Sequence, residues 1–115
     1  MKSPITTHVL DTAQGRPASG IAVKLAQRNA DGEWQDLAIG ETNDDGRIMN
    51  LLPPDFHLAA GVYQMTFATE NYFRRQGTKG FYPFVSITIE IVQPEQHYHV
   101  PLLLSPFGYS TYRGS

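Results

Sequence analysis

HYHVPLLLSPFGYSTYRGS, residues 97–115, contains a strand, a turn and a second strand. Alternate side chains of an extended chain point to opposite faces. Tyr98, Val100, Leu102 and Leu104 therefore share one apolar face, and His97, His99, Pro101 and Leu103 share the other. Ser105-Pro106-Phe107-Gly108 has turn chemistry, and beyond it Gly108, Ser110 and Tyr112 alternate against Tyr109 and Thr111. A strand that is apolar on one face belongs to a sheet packed on that side only. The two histidines lie on the other side, which meets solvent or a second copy of the same sheet. The stretch closes on Tyr112-Arg113-Gly114-Ser115, a terminus rich in side-chain chemistry.

The rest of the chain has the same grain. Glycines and prolines recur at intervals too short for long helices. Between them the spacing predicts strands over Ile5–Asp11, 21–28, 34–42, 47–50, 62–68, 85–92, 97–104 and 108–112. Asn29-Ala30-Asp31-Gly32 and Asn43-Asp44-Asp45-Gly46 read as turns, with Asp-Gly the strongest local signal. In the first strand Thr6, His8, Leu10 and Thr12 share one face and Ile5, Thr7 and Val9 the other. Residues 69–77 break the pattern and read as a short helix. Thr69 is placed to cap it, Tyr72 and Phe73 to face inward, Arg74 and Arg75 to meet the negative end of its dipole, and Gly77 to stop it. The prediction is an all-β, two-sheet, eight-stranded antiparallel sandwich with one short helix, forming a single domain over residues 1–115.

Composition narrows the function. Hydrophobic residues make up 41% and charged residues 17% of the 115-residue chain, with a formal net charge of -2. No basic block or acidic tail points to nucleic acid or a lipid surface as partner. The absence of cysteine excludes disulfides, thiolate nucleophiles and cysteine-ligated zinc. No apolar stretch follows Met1-Lys2-Ser3-Pro4, and no run approaches the ~20 apolar residues of a membrane span. The expected location is the cytoplasm, or the periplasm if a leader was removed.

No glycine-rich phosphate loop, nucleophile elbow or zinc-helix motif occurs. Residues 41–46 faintly resemble the start of a calcium loop, but Leu52 stands where its bidentate Glu would be. His97 and His99 share a face, and with His8 they suggest a three-histidine metal site, although no Asp or Glu flanks the pair as a supporting partner. Two histidines and an arginine also suit hydrolysis by an activated water. A neutral imidazole accepts the water's proton near neutral pH, and a guanidinium steadies charge growing on a carbonyl oxygen.

Three stretches carry a resemblance: His8-Val9-Leu10-Asp11-Thr12, Asn43-Asp44-Asp45-Gly46-Arg47, and Tyr98-His99-Val100-Pro101 through Tyr112-Arg113-Gly114-Ser115. Together they resemble the transthyretin-related 5-hydroxyisourate hydrolases over essentially the whole chain, with no departure at a motif residue. The terminal Tyr-Arg-Gly-Ser is the most specific element, since transthyretin proper lacks it. The resemblance implies a catalytic set of His8, Arg47 and His99, with Tyr112, Arg113, Gly114 and Ser115 binding substrate. It implies opening of the six-membered ring of 5-hydroxyisourate by water, giving 2-oxo-4-hydroxy-4-carboxy-5-ureidoimidazoline, without metal or organic cofactor. His8 and His99 would position and deprotonate the water, Arg47 would stabilise the oxyanion, Tyr112 and Ser115 would close the pocket and Arg113 would tie down the tail. His97 would support the rim. The implied assembly is a homotetramer, a dimer of dimers paired through the last strands, with its sites at the dimer–dimer interface. A transthyretin-like carrier without catalysis is the alternative reading, and a purely structural sandwich with surface histidines is another.

Overall fold

Alternation separates the faces of β1 (Ile5–Asp11) and β8 (Tyr98–Ser105) as their sequences require. Ile5, Val9, Leu102 and Leu104 are fully buried, and Tyr98 and Val100 nearly so, whereas His8, His99 and Leu103 are only half-buried on the opposite face. Each aliphatic side chain taken wholly from water contributes about 1.5–3 kcal/mol. A one-residue slip in either strand would expose the whole row. The structure, a computed structural model, describes residues 3–115; Met1 and Lys2 lie outside the described residues. Among the described residues no helix is long and apolar enough to cross a membrane.

The remaining elements are β2 (Arg16–Pro17), β3 (Ala22–Arg28), β4 (Trp34–Glu41), β5 (Arg47–Ile48), β6 (Gly61–Phe67), α1 (Thr69–Arg75), β7 (Val85–Ile91) and β9 (Gly108–Thr111). One sheet has the order β4-β3-β6-β7 and is antiparallel throughout. The other runs β2-β1-β8-β9, and β5 shares with β2 the outer edge of β1. Val23, Leu25, Tyr63, Met65, Phe67 and Ile91 from the first sheet meet the apolar faces of β1 and β8 to form one core.

Three local features differ from the sequence-based expectation. The two-residue β2 is additional. It forms where Ala18 donates to the Val9 carbonyl at 3.0 Å and the chain doubles back along β1. The central pair β1 and β8 is parallel, from Ile5 opposite Tyr98 to Asp11 opposite Leu104. Thr69 does not cap α1: its hydroxyl donates to the Tyr82 carbonyl at 2.6 Å, and Ala68 occupies the cap position without a side-chain bond. The helix end follows expectation. Gly77 has φ +69°, its N–H donates to Arg74 O, and that of Thr78 donates to Phe73 O, both at 3.0 Å. That pair of bonds is a Schellman closure. Tyr72 and Phe73 are buried, and Tyr72 fastens the helix to the first strand by donating to buried Asp11 at 2.7 Å.

Candidate active site

The turn before β5 places Arg47. Asn43 Oδ1 accepts from the backbone N–H of Asp45 at 2.9 Å and of Arg47 at 3.0 Å, while Asn43 N–H donates to the Arg47 carbonyl at 3.0 Å. An Asn side chain that mimics backbone in this way makes a turn self-sufficient. Gly46 has φ +73°, where a side chain is strained, and a Cβ there would run into the Val9 carbonyl oxygen. Gly46 O instead accepts from Val9 N–H at 2.7 Å. The turn is thus locked against β1, with Arg47 directly opposite His8 and Ile48 opposite Thr7. Cross-strand partners share a face, so the guanidinium and the imidazole project from the same side of the sheet.

This proximity has an electrostatic consequence. Burial pushes the His8 imidazole below its ordinary value of 6.5, and the Arg47 charge pushes it further down. The Asp45 backbone, as a hydrogen-bond acceptor for the ring, and the Asp45 carboxylate pull the other way without prevailing. His8 is therefore held neutral to lower pH than a free histidine. With one ring nitrogen directed at a carbonyl acceptor, the other keeps its lone pair.

His99 enters from the other side of β1. It lies opposite Thr6 in the parallel register, two residues along the strand from His8. Strand geometry puts the His8 and His99 backbones about 8 Å apart on the diagonal, enough for a small reactant between their side chains. His99 Nδ1 is 2.7 Å from Thr6 Oγ1, and His97 Nε2 is 3.0 Å from the same oxygen. Thr6 is fully buried although it lies on the outward face. Residue type alone does not single it out, since a threonine inside a strand reads as a β-former.

The terminal residues separate into two groups. Pro101 has no N–H to give, and the pairing of β8 with β9 stops at Thr111 and resumes only at a single bridge between His99 and Gly114. Gly114 N–H donates to His99 O at 2.8 Å. A Cβ on Gly114 would stand 2.6 Å from His99 Cδ2 and 3.2 Å from Pro101 Cγ. Glycine is required here by close approach to the imidazole rather than by an unusual backbone angle. Arg113 turns away from the histidines: its guanidinium lies 4.4 Å from the Tyr98 ring centroid and donates to Gln96 Oε1 at 2.8 Å. Those contacts anchor the tail. Tyr112 is 58% exposed, and with His99 and Arg113 it lines a 340 Å³ groove that continues to Ile87 and Ile89 of β7. Ser115 is exposed at the chain end.

Gly114→Ala is expected to displace the His99 ring and to lower kcat by about tenfold or more. The thermal midpoint should move little, because half-buried Gly114 lies outside the inter-sheet core. Kinetics beside a thermal melt check both halves, and an unchanged kcat would mean that the ring tolerates the shift.

His8, Arg47 and His99 thus share one face, where strand register places them. Of the three, His99 lines the groove shared with Tyr112 and Arg113. Among the described residues no three His, Asp or Glu side chains are grouped as metal ligands. His97 and His99 both turn a ring nitrogen to Thr6.

A model of the HIUase/Transthyretin family matches residues 5–114. The chain is 46% identical over 114 residues to a 5-hydroxyisourate hydrolase from Mus musculus, covering 98% of this chain and 96% of that one. It is 43% identical to a 5-hydroxyisourate hydrolase from Halalkalibacterium halodurans, with both chains covered completely. Among solved structures, a Klebsiella pneumoniae 5-hydroxyisourate hydrolase superposes with TM-score 0.83 at 36% identity over 96% of this chain and 92% of that one. A sea bream transthyretin in complex with thyroxine superposes with TM-score 0.91 at 37% identity over 97% and 95%. Backbone likeness thus reaches a hydrolase and a hormone-binding protein alike, and the side chains on the sheet face must distinguish them. On the matched residues and the full-length similarity, the chain belongs to the HIUase/transthyretin family.

Proposed function

We propose that this chain hydrolyses 5-hydroxyisourate, and that His8 is the base. The observation that carries this reading is the pairing of a depressed imidazole with a guanidinium across β1 and β5, on the face that also presents His99. A carrier needs apolar complementarity, whereas this face offers a proton acceptor and a fixed cation. The relatives named hydrolases match the chain along its full length.

In the reaction, His8 takes a proton from water as the water oxygen bonds to the ring carbonyl carbon. Arg47 stabilises the negative charge that develops on the carbonyl oxygen. The carbon–nitrogen bond then breaks, and His8 returns its proton to the departing ring nitrogen. Water is consumed, no charge accumulates, and no metal or organic cofactor takes part. Tyr112 and the anchored tail close the pocket from one side. A second copy of the sheet closes the other, in a dimer of dimers whose subunits join through the edge strands β7 and β9. The support for this assembly is that exposed Phe84, Phe107 and Tyr109 flank those edges. We further propose a cytoplasmic location, where a cysteine-free chain gains or loses nothing from the reducing conditions.

The test is the absorbance of freshly generated 5-hydroxyisourate, which should decay faster with the protein than in buffer. Decay at the buffer rate, together with saturable binding of an aromatic ligand, would establish the carrier reading instead. The pH profile refines the test. Because the folded His8 value lies below 6.5, kcat/KM should stay level as pH falls toward that value and should drop only beneath it. Stability follows the same sign: the unfolded chain takes up its proton first, so His8 contributes a loss of stability as pH falls below 6.5. An acid limb centred at or above 6.5 contradicts His8 as the base.

A further inference from the structure

We propose that Thr6 and His97 are positioning residues that determine which nitrogen of His99 carries hydrogen, and so make His99 a hydrogen-bond donor to the substrate. This rests on the reading that His99 faces the substrate beside His8. Thr6 Oγ1 stands between two imidazoles, 2.7 Å from His99 Nδ1 and 3.0 Å from His97 Nε2. It is fully buried, so water does not compete for it.

A hydroxyl has one hydrogen. If Thr6 donates to one ring nitrogen, the other nitrogen must be an N–H that donates to Thr6. The two imidazoles are therefore set in opposite senses by a single atom. The lengths give the direction. Bonds donated by a hydroxyl run shorter than bonds donated by an N–H. The shorter contact is thus Thr6 O–H donating to His99 Nδ1, and the longer one is His97 Nε2–H donating to Thr6. The chain of bonds runs from His97 through Thr6 to His99, and each bond polarises and strengthens the next.

With Nδ1 occupied as an acceptor, neutral His99 carries its hydrogen on Nε2. It then offers the substrate a donor, while His8 offers a lone pair. Two histidines on one face acquire different duties from their neighbours: the Asp45 backbone beside His8, and a threonine hydroxyl beside His99. The substrate group that meets His99 must be an acceptor, a carbonyl oxygen or an unprotonated ring nitrogen. No proton leaves His99 in this scheme, so the water-to-nitrogen transfer through His8 is unchanged.

The test uses ring-nitrogen NMR of the 15N-histidine-labelled full chain without substrate, together with kinetics. Wild type should show His99 with hydrogen on Nε2 and a bare Nδ1, and His97 with hydrogen on Nε2. Thr6→Val keeps the branched shape and removes the hydroxyl. It should mix the His99 tautomers and lower kcat by about tenfold, the equivalent of one hydrogen bond of ordinary strength. Thr6→Ser should restore both the tautomer and most of the rate. His97→Phe should weaken the preference while leaving Thr6 in place, so the question remains answerable if Thr6→Val fails to fold. Hydrogen on His99 Nδ1 in wild type overturns the proposal, as does an unaltered tautomer in both Thr6→Val and His97→Phe. The spectra need no turnover. Absence of hydrolysis by wild type would defeat the functional reading and leave the tautomer result to stand separately.

Discussion

Replacing His8 by alanine is expected to lower kcat by about 10²–10⁴-fold, the usual worth of a positioned general base, while the chain still folds and assembles. The side chain is half-buried on the outward face of β1 and takes no part in the inter-sheet core. Its removal leaves no core cavity. The β1–β5 pairing that holds Arg47 is made by backbone atoms and by Asn43, not by the imidazole. KM should change less than kcat, since what is lost is an interaction that matters chiefly as the proton moves. Stopped-flow decay of 5-hydroxyisourate, with a thermal melt and a mass measurement in solution, settles the matter. A His8→Ala rate within about threefold of wild type, with His99→Ala inactive, would transfer the base to His99.

Arg47→Ala should cost about 10²–10³-fold in kcat, as expected when a fixed donor to a developing oxyanion is removed. It carries a second signature that simple loss of binding would not produce. The Arg47 charge is the second largest influence holding the His8 value down. Without it, His8 should gain a proton at higher pH, and the acid limb of the residual activity should move upward. Arg47→Lys retains a charge but not the planar fork of donors. It should keep the acid limb near its wild-type position while recovering only part of the rate. An acid limb that stays in place in Arg47→Ala would show that the two groups do not communicate in the working enzyme.

Local chemistry was legible in the sequence, and long-range pairing was not. The turns at Asn29 and Asn43 close identically. Each Asn Oδ1 accepts from the backbone two and four residues ahead, and each glycine takes positive φ. Such turns depend on four or five adjacent residues, so the sequence displays them directly. Parity likewise assigned His8 and His99 to the outward face, because period two is a property of the strand itself. The parallel partnership of β1 with β8 depends instead on where two distant strands meet within the core, and neither strand announces it. Thr69 failed as a cap for a related reason: a carbonyl from the loop before β7 claimed its hydroxyl. Thr6 and the steric need for Gly114 were hidden in the same way, since each acquires its role only from His99.

That parallel partnership has a bearing on biosynthesis. β3, β4, β6 and β7 form a sheet from successive segments of the middle of the chain, and such near-neighbour contacts close quickly. The strand bearing His8 must wait for residues 98–104, made long after it, before it acquires its central neighbour. A nascent chain that has not yet exposed residues 98–104 can therefore hold half a sandwich but no working site.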